Sequence, residues 1–114
     1  MPAVNSYSFG KIVVDGVEYR NDIILFWNGK VEKWWRKEGH HVCLEDINSI
    51  LENEPEVVVF GTGKHGVMKV GKDVINALKD RGIECIELIS DRAVEEFNNL
   101  VKSKRAVLAI HLTC

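Results

Sequence analysis

"VVVFGTGKHGVMKV", residues 57–70, passes from four apolar residues, Val57 to Phe60, into three glycines spaced G-x-G-x-x-G. A short apolar run bounded by glycine reads as a buried strand. Downstream, "GKDVINALKDRG" (71–82) has Val74, Ala77 and Leu78 at helical spacing, with Gly82 placed for the left-handed position after a helix end. "IECIELIS" (83–90) reads as a second strand. Ser90 is then a candidate N-cap for "DRAVEEFNNLVKSK" (91–104), whose Ala93, Val94, Phe97, Leu100 and Val101 share one face. "AVLAIHL" (106–112) is continuously apolar, as a strand covered on both faces would be. This half predicts a βαβαβ unit.

Upstream, the period is that of antiparallel strands. Asp15-Gly16 in "KIVVDGVEYR" and Asn28-Gly29 in "IILFWNGKVEKWW" each divide two β-rich runs, and both dipeptides suit the positive φ angles of a type I′ turn. Between the hairpins and the first parallel strand, "LEDINSILEN" (44–53) has the spacing of a short amphipathic helix, with Pro55 closing it. The fold class expected is α/β, a three-layer single domain spanning 1–114, with N-terminal β-hairpins leading into βαβαβ and a mixed sheet.

The chain's 114 residues are the length of one domain, and 46% hydrophobic with 28% charged residues is the composition of a folded chain. A net charge of −2 argues against nucleic-acid binding by phosphate neutralisation. No stretch approaches 18 consecutive apolar residues and no leader pattern opens the chain, so neither membrane nor export is expected and the location predicted is cytoplasmic. Cys43, Cys85 and Cys114 have no framework spacing, which fits a reducing compartment.

The loop Gly61, Thr62, Gly63, Lys64, His65, Gly66 is the first candidate site. Glycines let backbone N–H groups approach an anion closely, and Lys64 and His65 add positive charge. A nucleoside-triphosphate loop needs Gly-Lys-Ser/Thr, whereas Gly66 is followed by Val67-Met68. Gly71 moves the next helix start several residues away, and only one mononucleotide-type half fits the chain, while dinucleotides use two. Two readings stay open: a small-anion or polar-metabolite site, and a βα turn that needs glycine for its backbone geometry.

His40-His41-Val42-Cys43 and His111-Leu112-Thr113-Cys114 are both H-x-x-C pairs, but structural zinc sites more often carry Cys-x-x-Cys knuckles, so neither metal nor cofactor is expected. "KWWRKEGHH" (33–41) sets Trp34 and Trp35 among basic residues. In a strand, neighbours face opposite sides, so one tryptophan is expected in the core and the other on a sheet face or an interface.

As a set, "SFGKIVVDGVEYRNDI" (8–23), "WWRKEGHH" (34–41), "PEVVVFGTGKHGVMKV" (55–70), "RGIECIEL" (81–88), "AVEEFNNLV" (93–101) and "IHLTC" (110–114) resemble the Mth-type domain family. That family includes the adipogenesis-associated Mth-domain protein, a mitochondrial complex I assembly factor and many uncharacterised prokaryotic proteins. The resemblance implies a three-layer α/β domain with no established activity, cofactor or substrate, whose eukaryotic members act through protein partners. Gly61 and Gly63 match the family's Gly-x-Gly, and Arg36, Gly39 and His40 match its Arg-x-x-Gly-His, which makes His40 a candidate site residue.

The function expected is therefore a non-enzymatic interaction or assembly-type domain, meeting a protein partner or a second copy through Trp27, Trp34 and Trp35. The alternative is a small-anion or metabolite-binding domain, or an enzyme, with its site at Gly61–Gly66 and His40 as an acid or base.

Overall fold

The computed structural model describes residues 1–114. Strands β1 (Val4–Ser8), β2 (Lys11–Val14) and β3 (Val17–Tyr19) form an antiparallel sheet in that order. β4 (Ile23–Phe26) and β5 (Val31–Lys33) follow, then β6 (His41–Val42) and a 3-10 turn (Leu44–Ile47) running into α1 (Asn48–Glu52). The remainder is β7 (Val57–Thr62), β8 (Lys69–Val70), α2 (Lys72–Asp80), β9 (Glu84–Leu88), α3 (Ser90–Leu100) and β10 (Ala106–His111).

The main sheet has the order β5-β4-β10-β7-β9. β10, β7 and β9 are mutually parallel and β4 is antiparallel to β10, so the sheet is mixed as expected. The last strand inserts at the centre and is buried along its whole length. Successive residues of the three inner strands face opposite layers. Ile24, Phe26, Val58, Phe60, Val107 and Ala109 pack toward α2 and the turn before α1, with Ile47, Val74 and Leu78. Ile23, Leu25, Val57, Val59, Leu108 and Ile110 pack toward α3 and the small antiparallel sheet, with Phe97, Ile12 and Val4. These are the three layers.

Several local expectations are corrected. Asp15 (φ 47°) and Gly16 (φ 82°) form the two-residue turn expected, but between β4 and β5 only Gly29 has positive φ. There Gly29 N–H donates to the Phe26 carbonyl and Phe26 N–H to the Lys30 carbonyl, a three-residue loop closed by a glycine bulge. Ser90 is the first residue of α3 and does not cap it; Ile89 holds the N-cap position. β1 and the two-stranded parallel β6–β8 pair have no counterpart in the sequence reading.

Candidate functional site

The carboxyl ends of the parallel strands β7, β9 and β10 bring Thr62, Ser90 and His111 together at one edge of the main sheet. Open α/β sheets place their sites at this edge. β4 starts there because it runs antiparallel, which delivers Asp22, and β5 ends there, which delivers Trp34, Trp35 and Arg36.

Asp22 is the hub. Its Oδ2 accepts from Arg36 Nη2 at 2.7 Å and pairs with His111 Nδ1 at 2.8 Å, while its Oδ1 accepts from Leu112 N–H at 2.8 Å. Arg36 Nη2 also donates to the Gly39 carbonyl at 2.8 Å and lies 3.1 Å from His111 Nδ1. A guanidinium nitrogen of this kind has two hydrogens and accepts none. With both given to Asp22 and Gly39, His111 Nδ1 carries the proton donated to Asp22, and Nε2 lies 3.4 Å from the Thr113 hydroxyl.

The three side chains are nearly withdrawn from water, at 5% exposed for Arg36, 7% for His111 and 18% for Asp22. Arg36 stacks on the Trp34 ring, 4.5 Å from its centroid, and its Nε and Nη1 are buried without a partner. Burial alone would raise the Asp22 carboxyl; hydrogen bonds from His111, Leu112 and Arg36, with the guanidinium charge, outweigh it and hold it below the ordinary value. The carboxylate is spent on three donors.

The glycine loop is tied to the same network. Gly61 and Thr62 belong to β7, and a Cβ at Gly61 would come within 2.7 Å of Ile110 Cγ1 and 2.9 Å of Ser90 Oγ. Ser90 Oγ donates to the His111 carbonyl at 2.6 Å and accepts from Gly63 N–H at 2.9 Å, so it ties β10 to the loop. Lys64 N–H donates to the Thr113 carbonyl, and His65 and Val67 N–H both donate to the Cys114 carbonyl. The loop amides do bind oxygen, and the oxygens are the chain's own. The helix that follows the loop in sequence does not start beside it, because Lys69–Val70 is strand and α2 begins at Lys72; the helix start beside the loop is that of α3, whose Ser90 N–H donates to the Gly63 carbonyl.

Lys64 Nζ is 3.0 Å from Asp91 and lies over the Tyr7 ring, while the His65 side chain is exposed. Gly63 has φ +104°, and a Cβ there would run into the Cys114 backbone. Gly63→Ala is therefore expected to cost about 1–3 kcal/mol and to speed amide exchange at Lys64, His65 and Val67. Exchange unchanged at those three amides would show that residues 113–114 do not depend on the glycine.

The remaining expected residues separate. His40 is exposed but sets its ring edge-on to His111, with centroids 5.4 Å apart. The three tryptophans do not form one surface. Trp34 is buried, its Nε1–H donating to the Asp46 carbonyl, because that ring supplies the shelf for Arg36. Trp27 is half-buried in the β4–β5 turn at the opposite edge of the sheet; only Trp35 is strongly exposed. His40, Cys43, His111 and Cys114 do not assemble into a ligand set, since Cys43 Sγ turns to Asp46.

Asp22 was missed altogether as a site residue, although an acid directly before a four-residue buried strand is a signal for a buried ion pair. Exposed apolar residues neighbour the network in the chain or through a backbone hydrogen bond. Trp35 precedes Arg36, Ile89 precedes Ser90, Phe9 precedes Gly10, whose N–H donates to the Leu112 carbonyl, and Val67 N–H donates to Cys114. Trp35, Ile89, Phe9 and Val67 are 73%, 43%, 56% and 42% exposed, respectively. The larger of two open hollows, about 710 Å³ between Glu54, Arg81, Glu84 and Arg105, is at the opposite edge.

A three-layer α/β domain with a mixed five-stranded sheet and a buried Asp–His–Arg network at the carboxyl edge is the class defined so far. The chain belongs to the family described as "Protein of unknown function (DUF498/DUF598)", whose model matches residues 4–112. It is similar to a protein designated MT938, at 26% identity over the whole of both chains with a TM-score of 0.84. The conserved hypothetical protein PH1505 from Pyrococcus horikoshii OT3 matches at 24% identity over 97% of this chain and 98% of that one, with a TM-score of 0.90. A Bordetella pertussis protein described as a Mth938-like domain matches at 21% identity over 96% of this chain and 85% of that one, with a TM-score of 0.70. The Mth-type resemblance holds. No helix is long and apolar enough to cross a membrane.

Proposed function

We propose that this domain is a non-enzymatic, cytoplasmic interaction module that meets a protein partner through the apolar rim at the carboxyl edge of its main sheet. One observation carries the reading: Phe9, Trp35, Val67 and Ile89 are exposed beside a polar network whose carboxylate is spent on three internal donors. Exposed apolar residues gathered in one region mark interaction sites, and tryptophan is among the side chains enriched at binding hot spots. Trp35→Asp and Val67→Asp are expected to abolish co-purification of the same polypeptide while leaving the thermal midpoint within a few degrees. Retention of every co-purifying chain by both variants would remove the rim from the binding surface.

A second reading places a small anion at Lys64, His65 and Val67, because three loop amides already hold oxygen atoms there. An anion would have to displace Thr113 and Cys114. A thermal-shift series with inorganic phosphate is expected to raise the midpoint of the native protein and not of Lys64→Ala under this reading. A flat response in both proteins counts against it.

A further inference from the structure

β9 is a side edge of the main sheet, hydrogen-bonded to β7 and open on its other side. Glu84 N–H donates to the Glu56 carbonyl and the Leu88 carbonyl accepts from Thr62, so residues 84, 86 and 88 direct their backbone groups inward. Residues alternate along a strand, so Cys85 and Glu87 direct theirs outward. Two free N–H and two free C=O groups follow. Both sides of this edge are partly apolar: Ile86 and Leu88 lie half-buried toward α3, and Ile75, Ile83 and Cys85 form a shelf beside Lys79 toward α2.

We propose that β9 is a self-association edge, on which a second copy of this chain adds its own β9 antiparallel about a two-fold axis at Ile86. In that register Cys85 and Glu87 of one copy exchange four backbone hydrogen bonds with Glu87 and Cys85 of the other, and the two Ile86 side chains form the close, non-hydrogen-bonded pair. All five residues of the strand are used. Glu84 falls opposite Leu88 and Glu87 opposite Cys85, so no carboxylate directly faces another, whereas an axis at Glu87 would set the two carboxylates together. Each Glu87 also arrives on the shelf beside Lys79 of the other copy. Neither Lys79 nor Glu87 has an ion-pair partner within its own chain. A two-fold dimer of this kind is self-complementary, as closed symmetry requires. The proposal goes beyond the rim reading: it uses a different edge, and its failure leaves that reading untouched.

Glu87→Pro removes an outward N–H that the monomer does not use, and proline is tolerated at such edge positions. Light scattering on the wild-type chain at sub-millimolar concentration is expected to give twice the 12.9 kDa of one chain, and Glu87→Pro one chain mass with its thermal unfolding retained. Lys79→Glu is expected to weaken the dimer, and adding Glu87→Lys to restore it, which decides the matter even if the proline variant fails to fold. A wild-type monomer, or a dimer indifferent to Glu87→Pro and to Lys79→Glu, overturns the proposal.

Discussion

Asp22→Ala is expected to lower the unfolding free energy by about 3–5 kcal/mol, the cost of breaking a buried ion pair from one side. The reason is what stays behind. Arg36, 5% exposed and with two nitrogens already unpartnered, would keep its charge in the interior with no counter-charge, and His111 would lose the acceptor that fixes its proton. Leu112 N–H would lose its partner too. Replacing both ends by apolar residues, Asp22→Leu with Arg36→Met, is expected to restore much of the loss, since no uncompensated charge remains. Urea unfolding of the three proteins measures this, and a single-variant loss below about 1 kcal/mol would class the pair with surface ion pairs.

The same carboxylate sets an acid limit. Its pKa is depressed in the folded chain, so its contribution is complete above the ordinary value of 3.8 and is lost as the pH falls through the lower folded value. Stability of the wild type is therefore expected to fall more steeply than that of the double apolar variant below about pH 4. Parallel acid curves would contradict the hydrogen bonds assigned to Asp22.

Phe97→Ala is expected to cost about 3–5 kcal/mol, the range for truncating a buried phenylalanine. Phe97 is fully buried on the inner face of α3, within the cluster where Val4 and Ile12 of the small sheet meet Val59 and Leu108 of the main one. Truncation leaves a void among three elements that cannot all close on it. Phe97→Leu, which keeps most of the volume, is expected to cost below about 1.5 kcal/mol. Equal losses in the two variants would mean that ring packing does not hold the third layer.

That phenylalanine was legible from sequence because helical spacing sets Ala93, Phe97 and Val101 on one stripe, and the structure buries all three. β7 and β10 were legible for a similar local reason, since their apolar runs are covered on both faces. The site was not. Asp22 and His111 are 89 residues apart and Arg36 and His111 are 75 apart, so only the insertion of β10 between β4 and β7 brings them together. Nothing in local periodicity encodes that strand order. Ser90 shows the same limit, because a residue with the chemistry of a helix cap became a tie between the loop and the last strand. The loop's glycines were visible as motif letters, but their reasons are long-range: Gly61 makes room for Ile110 and Ser90, and Gly63 for Cys114.

A photo-cross-linking amino acid placed at Trp35, compared with one at the exposed Asn28 in the β4–β5 turn on the opposite edge and away from β9, tests the interaction reading most directly. Irradiation in cells expressing the domain is expected to give one discrete adduct with a protein partner from position 35 and none from position 28. Adducts from both positions alike, or from neither, would contradict a binding surface at the carboxyl edge.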